Sequence, residues 1–393
     1  MARNQYKTIN DYRRQEWNEK RERDIHPKKT VKRKTKSKGS LLKRLVIWSL
    51  IGILFQIPAY YFLNLKIQEV MNPNGSSQMP LNQNITYTLA APNIKNPAVS
   101  FDDNYLAYSS GNKFCIYDFS QHEVIWNIDL TSCEVLGYQW LPDRNALLVF
   151  ESGIGVDPNR PNSMSVGIHS LEVTGTSDQI TDRFASSLPS SFQGSQISNI
   201  SLSTATNLLY FSAKGQYQTN LYEVDVMKNL KRLNSPGESV DRLAVSPVQG
   251  TVYFNTQGTS DNQTLAQSGN SRVQVASNPL DKVLGLWNQQ VYLGTVDQGD
   301  LVKIWTTADN QPSPQRPNFT LFWTGKIPWD KTSVVTINGT NLLVRTEETV
   351  YQVSSQGSKI LKQGENSFFS PSGKYYYAYT TDSSGTSLER IAV

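Results

Sequence analysis

A short phrase that occurs twice, far apart, restricts what this chain can fold into. "FSPSGKYYYAYTT" covers Phe369–Thr381, and a similar phrase, "VSFDDNYLAYSS", covers Val99–Ser110. Pro371 favours a turn because its φ is fixed near −65°, and Gly373 accepts a positive φ without a steric clash. The aromatic residues that follow are typical of a half-buried strand. Each phrase therefore predicts a strand, a tight turn and a second strand.

The same pattern recurs between these two copies, which gives seven units in all. Their anchor positions lie 34 to 63 residues apart: Val99, Gly137, Ile200, Leu243, Leu284, Val334 and Phe368. A second strand pair follows most of them, so that a unit holds about four strands, and blades of WD-type propellers repeat every 40–45 residues or so. The longest interval requires an insertion, which residues 153–163 and 174–196 can supply. We therefore predict an all-β fold, a β-propeller of about seven four-stranded blades, with six or eight blades as alternatives.

The two ends of the repeat region are complementary. The last unit runs out of chain after three strands, whereas the strand-like segment Asn84–Ala91 precedes the first unit and belongs to no blade. If this N-terminal strand completes the last blade, the ring closes and no open sheet edge remains. The two similar phrases would then lie in neighbouring blades. The alternative is that such hairpins are common in any all-β protein.

Three of the repeats carry a resemblance to a known family. "SPSGKYYYAY", "SFDDNYLAYSS" and "WLPDRNALLVF" resemble the Ser-Pro-Asp-Gly-Lys phrase of TolB-like and related WD-type bacterial β-propellers. The resemblance covers roughly residues 84–393, and several copies lack the proline or the glycine. The resemblance implies a propeller fold and a binding function, but it does not imply a catalysed reaction.

Residues 45–63 contain no charged side chain. A helix of this length spans close to the ~30 Å hydrocarbon core of a bilayer, so we predict one transmembrane helix. A cleavable signal peptide is the alternative. An uncleaved anchor is favoured because the apolar run is long, no small-residue cleavage site follows closely, and 44 residues precede it.

Charge predicts how this helix is oriented. Residues 1–44 hold 16 Lys and Arg but 5 Asp and Glu, and the positive side of a membrane protein stays in the cytoplasm. We therefore expect a type II protein with a largely disordered cytoplasmic arm (1–44), a short stalk (64–83) and an extracytoplasmic propeller (84–393). The basic run is expected to contact anionic lipid headgroups. Its residues are Lys28, Lys29, Lys32, Arg33, Lys34, Lys36, Lys38, Lys43 and Arg44. Nucleic-acid binding is disfavoured because no aromatic residues interleave this run.

Few residues suggest chemistry. Cys115 and Cys133 could form a disulfide in an oxidising exterior, or remain two buried thiols. The three histidines, among them His169, have no companion Ser or Cys motif, and nucleotide-binding and hydrolase motifs are absent. We therefore predict no catalytic, cofactor-binding or metal-binding residue. Trp323 and Trp329 flank a short segment that we expect to be an irregular connection, where they could contact a partner or pack in the core.

These observations favour a membrane-tethered, extracytoplasmic binding or scaffold module for a protein, peptide or glycan of the cell envelope. The alternative is an enzyme or enzyme subunit that uses the central funnel of the propeller. That alternative requires acidic residues and His169 to converge in the funnel.

Overall fold

The computed structural model describes Gln56 and residues 84–393, except 175–179, 189–191, 193, 259–261, 310–317, 348 and 364–365. The chain divides into two compact units, Met1–Met79 and Pro80–Val393. In the described part, no helix is long and apolar enough to cross a membrane. The predicted arm, transmembrane helix and stalk lie outside this part, apart from Gln56, which is helical. The lipid-contacting residues of the basic run also lie outside it.

Residues 84–393 form seven four-stranded antiparallel sheets, which are the blades of a propeller. Blade one holds β2 (Lys95–Val99), β3 (Tyr105–Ser110), β4 (Lys113–Asp118) and β5 (Glu123–Asp129). Blade two holds β6 (Cys133–Trp140), β7 (Ala146–Ile154), β8 (Met164–Val173) and β9 (Ile180–Ser187). Blade three holds β10 (Ile197–Ser203), β11 (Leu208–Lys214), β12 (Thr219–Val224) and β13 (Leu230–Arg232).

Blade four holds β14 (Ser239–Val245), β15 (Val252–Gln257), β16 (Gln263–Ser268) and β17 (Ser271–Ala276). Blade five holds β18 (Asp281–Trp287), β19 (Gln290–Asp297), β20 (Asp300–Ala308) and β21 (Thr320–Pro328). Blade six holds β22 (Val334–Asn338), β23 (Asn341–Arg345), β24 (Thr349–Ser354) and β25 (Gly357–Gln363). Blade seven holds β26 (Asn366–Phe369), β27 (Tyr375–Thr381), β28 (Thr386–Ala392) and β1 (Ile85–Leu89).

The first strands of the blades lie innermost. Those of blades seven, one, two, three, four, five and six contact one another in that order round the centre. All seven anchor positions predicted from the repeats fall in these first strands. The prediction of a seven-bladed, all-β propeller is therefore confirmed. The long interval lies where expected, in blade two, whose β7 and β8 are 9 and 10 residues long.

The ends of the repeat region meet as predicted. Strand β1 pairs antiparallel with β28, with Ile85 opposite Arg390 and Leu89 opposite Thr386. This N-terminal strand is the outermost strand of blade seven. Since β1 precedes blade one in the chain, the pairing joins the two ends of the repeat region and closes the ring. We refer to the junction of blades seven and one as the seam.

The predicted turns between first and second strands are present. Gly373, Gly250 and Asn207 all have positive φ, and Ser370 N donates to Tyr375 O at 3.1 Å across its turn. In the first repeat, however, the residue with positive φ is Asp103 (φ 62°), not the neighbouring asparagine. Asp103 is held there by the seam, because its carboxylate accepts a hydrogen bond from Ser372 Oγ at 3.0 Å in blade seven.

Alternation in the strands places apolar side chains between neighbouring blades. Blades two and three share a core that includes Phe150 and Phe211, whose ring centroids lie 4.9 Å apart.

Antiparallel pairing also gives the propeller two faces. One carries the turns between first and second strands and between third and fourth strands, and we call it the turn face. The other carries the connections between blades.

Candidate functional site

The structure places Trp323 in the core of the propeller. This residue lies within β21, not in an irregular connection, and is 3% exposed among apolar residues of blades five and six. Trp329 follows the strand and is half-buried, and the guanidinium of Arg242 lies 4.7 Å from its ring centre. The core-packing alternative therefore describes Trp323, and Trp329 is already covered by a cation.

The two cysteines are free thiols on different blades. Cys115 lies buried in the third strand of blade one, and Cys133 begins the first strand of blade two. Burial, a hydrogen bond that the thiol donates to Glu151 and the charge of Glu151 raise the pKa of Cys133 to about 12. Burial also raises the pKa of Cys115. Both thiols are therefore protonated at neutral pH and are poor nucleophiles.

Two arginines, one in a first strand and one in a second strand, hold one connection of the propeller. Arg242, in β14, donates from Nη2 to the carbonyl oxygen of Ser333 at 2.8 Å. Arg345, at the end of β23, donates from Nη2 to the carbonyl oxygen of Thr332 at 2.9 Å. Burial lowers the pKa of both guanidinium groups. The connection 329–333 between blades five and six is thus fixed from two sides by arginine side chains that donate to its carbonyl oxygens.

His169 does gather acidic residues, but not around the centre of the ring. It lies in β8, the third strand of blade two, where Nδ1 is 3.0 Å from Asp182 Oδ1 and Nε2 is 3.9 Å from Glu151 Oε2. Burial acts to lower the pKa of His169, but the hydrogen bond and charge of Asp182 and the charge of Glu151 outweigh it and raise that pKa. The described residues contain no group of three or more potential metal ligands.

Three open depressions lie on blades two and three. The first, which we call the groove, has a volume of about 250 Å³ and lies between the two blades. Its apolar lining includes Leu141, which follows β6, and four residues of first, second and third strands: Leu148, Leu202, Leu209 and Val224. A smaller depression of about 90 Å³ shares three of these residues and extends to Trp140 and Ile200 in the first strands.

The rim of the groove is made by turns on the turn face. Arg144 belongs to the turn after β6, and Lys228 belongs to the turn between β12 and β13. Two apolar residues of the latter turn project into solvent, since Val226 is 66% and Met227 is 76% exposed. Asp225 fixes this turn by accepting hydrogen bonds from Met227 N at 2.8 Å and Asn229 N at 2.9 Å. An apolar groove beside a rigid apolar turn suits contact with another molecule.

The third depression, which we call the blade-three pocket, has a volume of about 340 Å³. Its lining is polar and aromatic: Gln216, Tyr217, Gln218, Asn220, Tyr222 and Arg232. Gly194, Ala213 and Gly215 complete it. Sequence reasoning missed both this pocket and the groove. The available signal was Tyr217, an aromatic residue between two glutamines in a turn that has no apolar neighbour to bury it.

Comparison with known proteins identifies the fold of this chain but no family. No protein-family model matches the chain, and no curated protein matches it. Among solved structures, the β-propeller domain of Myceliophteria thermophila Cps50 (Swd1) aligns with a TM-score of 0.51 at 10% identity, over 79% of this chain and 99% of that one. The WD40 repeats of RRP9 align with a TM-score of 0.47 at 11% identity, over 78% and 97%. The first alignment agrees with a β-propeller, a fold that by itself does not determine a function.

Proposed function

We propose that the chain is a single-pass type II membrane protein whose extracytoplasmic β-propeller binds a protein, peptide or glycan of the cell envelope. The apolar segment 45–63 would anchor it, and the excess of basic residues in 1–44 supports a cytoplasmic N-terminus. The basic run beside the membrane would bind anionic lipid headgroups. The resemblance to TolB-like propellers is consistent with this location.

One observation carries the binding role: open depressions and exposed apolar side chains coincide on blades two and three. Val226, Met227 and Tyr217 are 66%, 76% and 89% exposed, and each belongs to a turn beside the groove or the blade-three pocket. Exposed apolar groups grouped around a concave surface are typical of interaction sites. This arrangement supports a binding module that uses the part of the ring formed by blades two and three.

The enzyme alternative gains no support from the described residues. It requires His169 and acidic residues to converge in the central funnel, whereas His169 lies in a third strand, two strands away from the centre. The half-buried Arg242 and Arg345 are bound to main-chain carbonyl oxygens.

Site-specific photo-crosslinking in intact cells tests the binding role. A benzophenone amino acid replaces Val226 at the groove, and a matched variant carries it at Val248, which is 56% exposed on the same face in blade four. We expect a discrete crosslinked product from position 226 and none from position 248. Equal products at both positions, or none at either, would contradict a specific site.

Thiol labelling tests the topology. In a Cys133→Ser background, a membrane-impermeant maleimide should label Met227→Cys on intact cells, because residue 227 is 76% exposed in the propeller. Ala2→Cys should react only after the cells are permeabilised. The reverse pattern would place the propeller in the cytoplasm and refute the proposed orientation.

A further inference from the structure

The blade-three pocket exists because one blade is incomplete at its outer edge. The fourth strand of blade three, β13, has only 3 residues, whereas the fourth strands of the other blades have 5 to 9. After Arg232 the chain leaves the sheet through the turn Ser235–Pro236–Gly237, in which Gly237 has a φ of 85°. The outer edge of β12 is therefore uncovered beside Thr219 and Asn220.

This uncovered edge is not free to accept another strand. Leu221 N donates to Oδ1 of Asn234 at 2.9 Å, and Thr219 N donates to Oγ of Ser239 at 3.1 Å. The side chains of Asn234 and Ser239 thus take the place of a fourth strand here, and Asn234 is a fixed part of the fold because it is 4% exposed. Strand addition by a peptide needs unpaired main-chain groups along the edge. Because side chains already occupy these donors, the edge favours a ligand recognised by side chains.

Small residues make the floor of the pocket. A Cβ atom on Gly194 would lie 2.4 Å from the ring of Phe192, and one on Gly215 would lie 3.0 Å from the carbonyl oxygen of Gln218. The ring of Tyr222 forms a fixed wall, since it stacks on Phe211 with the centroids 5.5 Å apart. Tyr217, in contrast, is 89% exposed at the opening. The pocket thus offers one rigid aromatic ring inside and one accessible ring outside.

The polar groups of the pocket are held in fixed orientations. Gln218 accepts from Gly237 N at 2.9 Å and donates from Nε2 to Asn220 Oδ1 at 2.7 Å. Arg232 donates from Nη2 to Ser235 O at 3.0 Å. Within the described residues, Asn220 Nδ2, Arg232 Nη1 and the Tyr217 hydroxyl have no hydrogen-bond partner. Because other atoms of Asn220 and Arg232 are already hydrogen-bonded, the remaining donors of these two side chains can serve a ligand at little cost in side-chain entropy.

We propose that the blade-three pocket binds one sugar unit of an acidic saccharide. The accessible Tyr217 ring provides a surface for the C–H face of a sugar, and Asn220 and Tyr217 donate to its hydroxyl oxygens. Arg232 is the only charged residue in the lining, and a planar guanidinium suits a carboxylate or phosphate substituent. A volume of about 340 Å³ lies at the lower end of the range for small-ligand sites, which fits one ring better than a chain.

This inference rests on the proposed binding function, because it selects the glycan among the possible ligands. It is tested by calorimetric titration of the full-length chain in detergent micelles. The carboxylate probe is the trisaccharide of galacturonic acid, with neutral galactotriose as its counterpart. The phosphate probe is glucose 6-phosphate, with glucose as its counterpart. We expect at least one acidic probe to bind about tenfold more tightly than its neutral counterpart.

Three variants assign the binding to this pocket. Tyr217→Ala should weaken binding of the acidic probe about tenfold, whereas Tyr217→Phe, which keeps the ring, should weaken it less. Arg232→Gln should abolish the preference for the acidic probe over the neutral one. Val248→Ala is the control, since this residue is 56% exposed in blade four and lines neither the groove nor the blade-three pocket, and it should bind as the native chain does.

Failure of all four probes to bind at 10 mM, about the weakest affinity worth considering, would overturn the proposal. Binding that Tyr217→Ala leaves unchanged would overturn it too, as would a benzophenone at position 217 that crosslinks to a polypeptide rather than a saccharide. The result is independent of the groove experiment. A crosslink at position 226 together with no saccharide binding would refute the saccharide site and leave the binding module intact.

Discussion

The seam and the groove are both junctions between neighbouring blades, but the seam is closely packed and the groove is open. At the seam, Tyr377 is fully buried and stacks between Phe119, at 5.8 Å, and Phe368, at 5.1 Å. At the corresponding end of the junction between blades two and three, the lining contains no aromatic side chain, and an open volume of about 250 Å³ remains. At this end of the junction, aromatic rings fill the space at the seam, whereas aliphatic side chains leave it open at the groove.

The difference shows how a ring of equivalent blades can separate stability from binding. At the seam blade one packs against blade seven, which is itself complete only because β1 pairs with β28, so that the closed ring depends on contacts between the two ends of the repeat region. The groove lies between blades that are consecutive in the chain, so that incomplete packing costs less. We therefore expect mutations at the seam to change stability and mutations at the groove or the blade-three pocket to change binding.

The largest effect should come from Tyr377→Ala. This change removes a ring that is 0% exposed and leaves a cavity between two other rings. Truncation of a buried aromatic residue costs about 3–5 kcal/mol in the free energy of unfolding. Urea unfolding of the purified chain measures it. Tyr217→Ala is the control, since a tyrosine that is 89% exposed should change stability by less than about 0.5 kcal/mol. Equal losses would show that the two regions do not differ.

A pair of leucines sharpens the comparison. Leu388→Ala, at a fully buried position of the seam, should lower the free energy of unfolding by about 3 kcal/mol. Leu209→Ala, at a position lining the groove, should cost about 1–2 kcal/mol, because the removed methyl groups already border open space. Urea unfolding of the two variants measures both losses. A larger loss for Leu209→Ala than for Leu388→Ala would contradict the expected difference between the seam and the groove.

Asp103 gives the seam a pH dependence. Burial raises the pKa of this carboxyl above 3.8, although hydrogen bonds from Ser370 and Ser372 oppose the rise. The folded chain therefore keeps a proton that the unfolded chain has lost, and the free energy of unfolding falls as pH rises from about 3.8 through the folded pKa. Asp103→Asn should remove this fall, a change on the order of 1 kcal/mol, and be at least as stable as the native chain at pH 7.

The test is thermal unfolding between pH 4 and pH 7. Asp143→Asn is the matched control in the equivalent turn of blade two, where the carboxylate is 44% exposed. Its unfolding should follow that of the native chain at each pH. A native-like pH profile in Asp103→Asn would mean that another group governs the seam.

The smallest effect on stability should come from filling the groove. Leu202 lines both the groove and the adjacent depression, and it is half-buried. Leu202→Phe should raise the free energy of unfolding by about 0.5 kcal/mol through better packing. The same change should abolish the crosslink from position 226, because the larger side chain occupies the space available to a partner. An unchanged crosslink would show that the partner binds outside the groove.

The sequence alone determined the repeating parts of this protein. The strand-turn-strand phrase located all seven first strands, and the missing strand of the last unit identified β1 as its partner. These features follow from local rules, since turn residues and alternation act over a few neighbours in the chain. The same rules placed the insertion in blade two.

Only the tertiary structure decided which side chains are accessible. It buried Trp323, brought His169 to Asp182 and Glu151 away from the centre, and left Tyr217 exposed beside a shortened fourth strand. The groove and the blade-three pocket depend on what the neighbouring strands leave unfilled. Residues such as Leu148 and Leu209 are 61 positions apart in the sequence, and nothing local relates them. Local patterns fix the strands, but concave surfaces arise from the size and shape of side chains that meet only after the blades have packed.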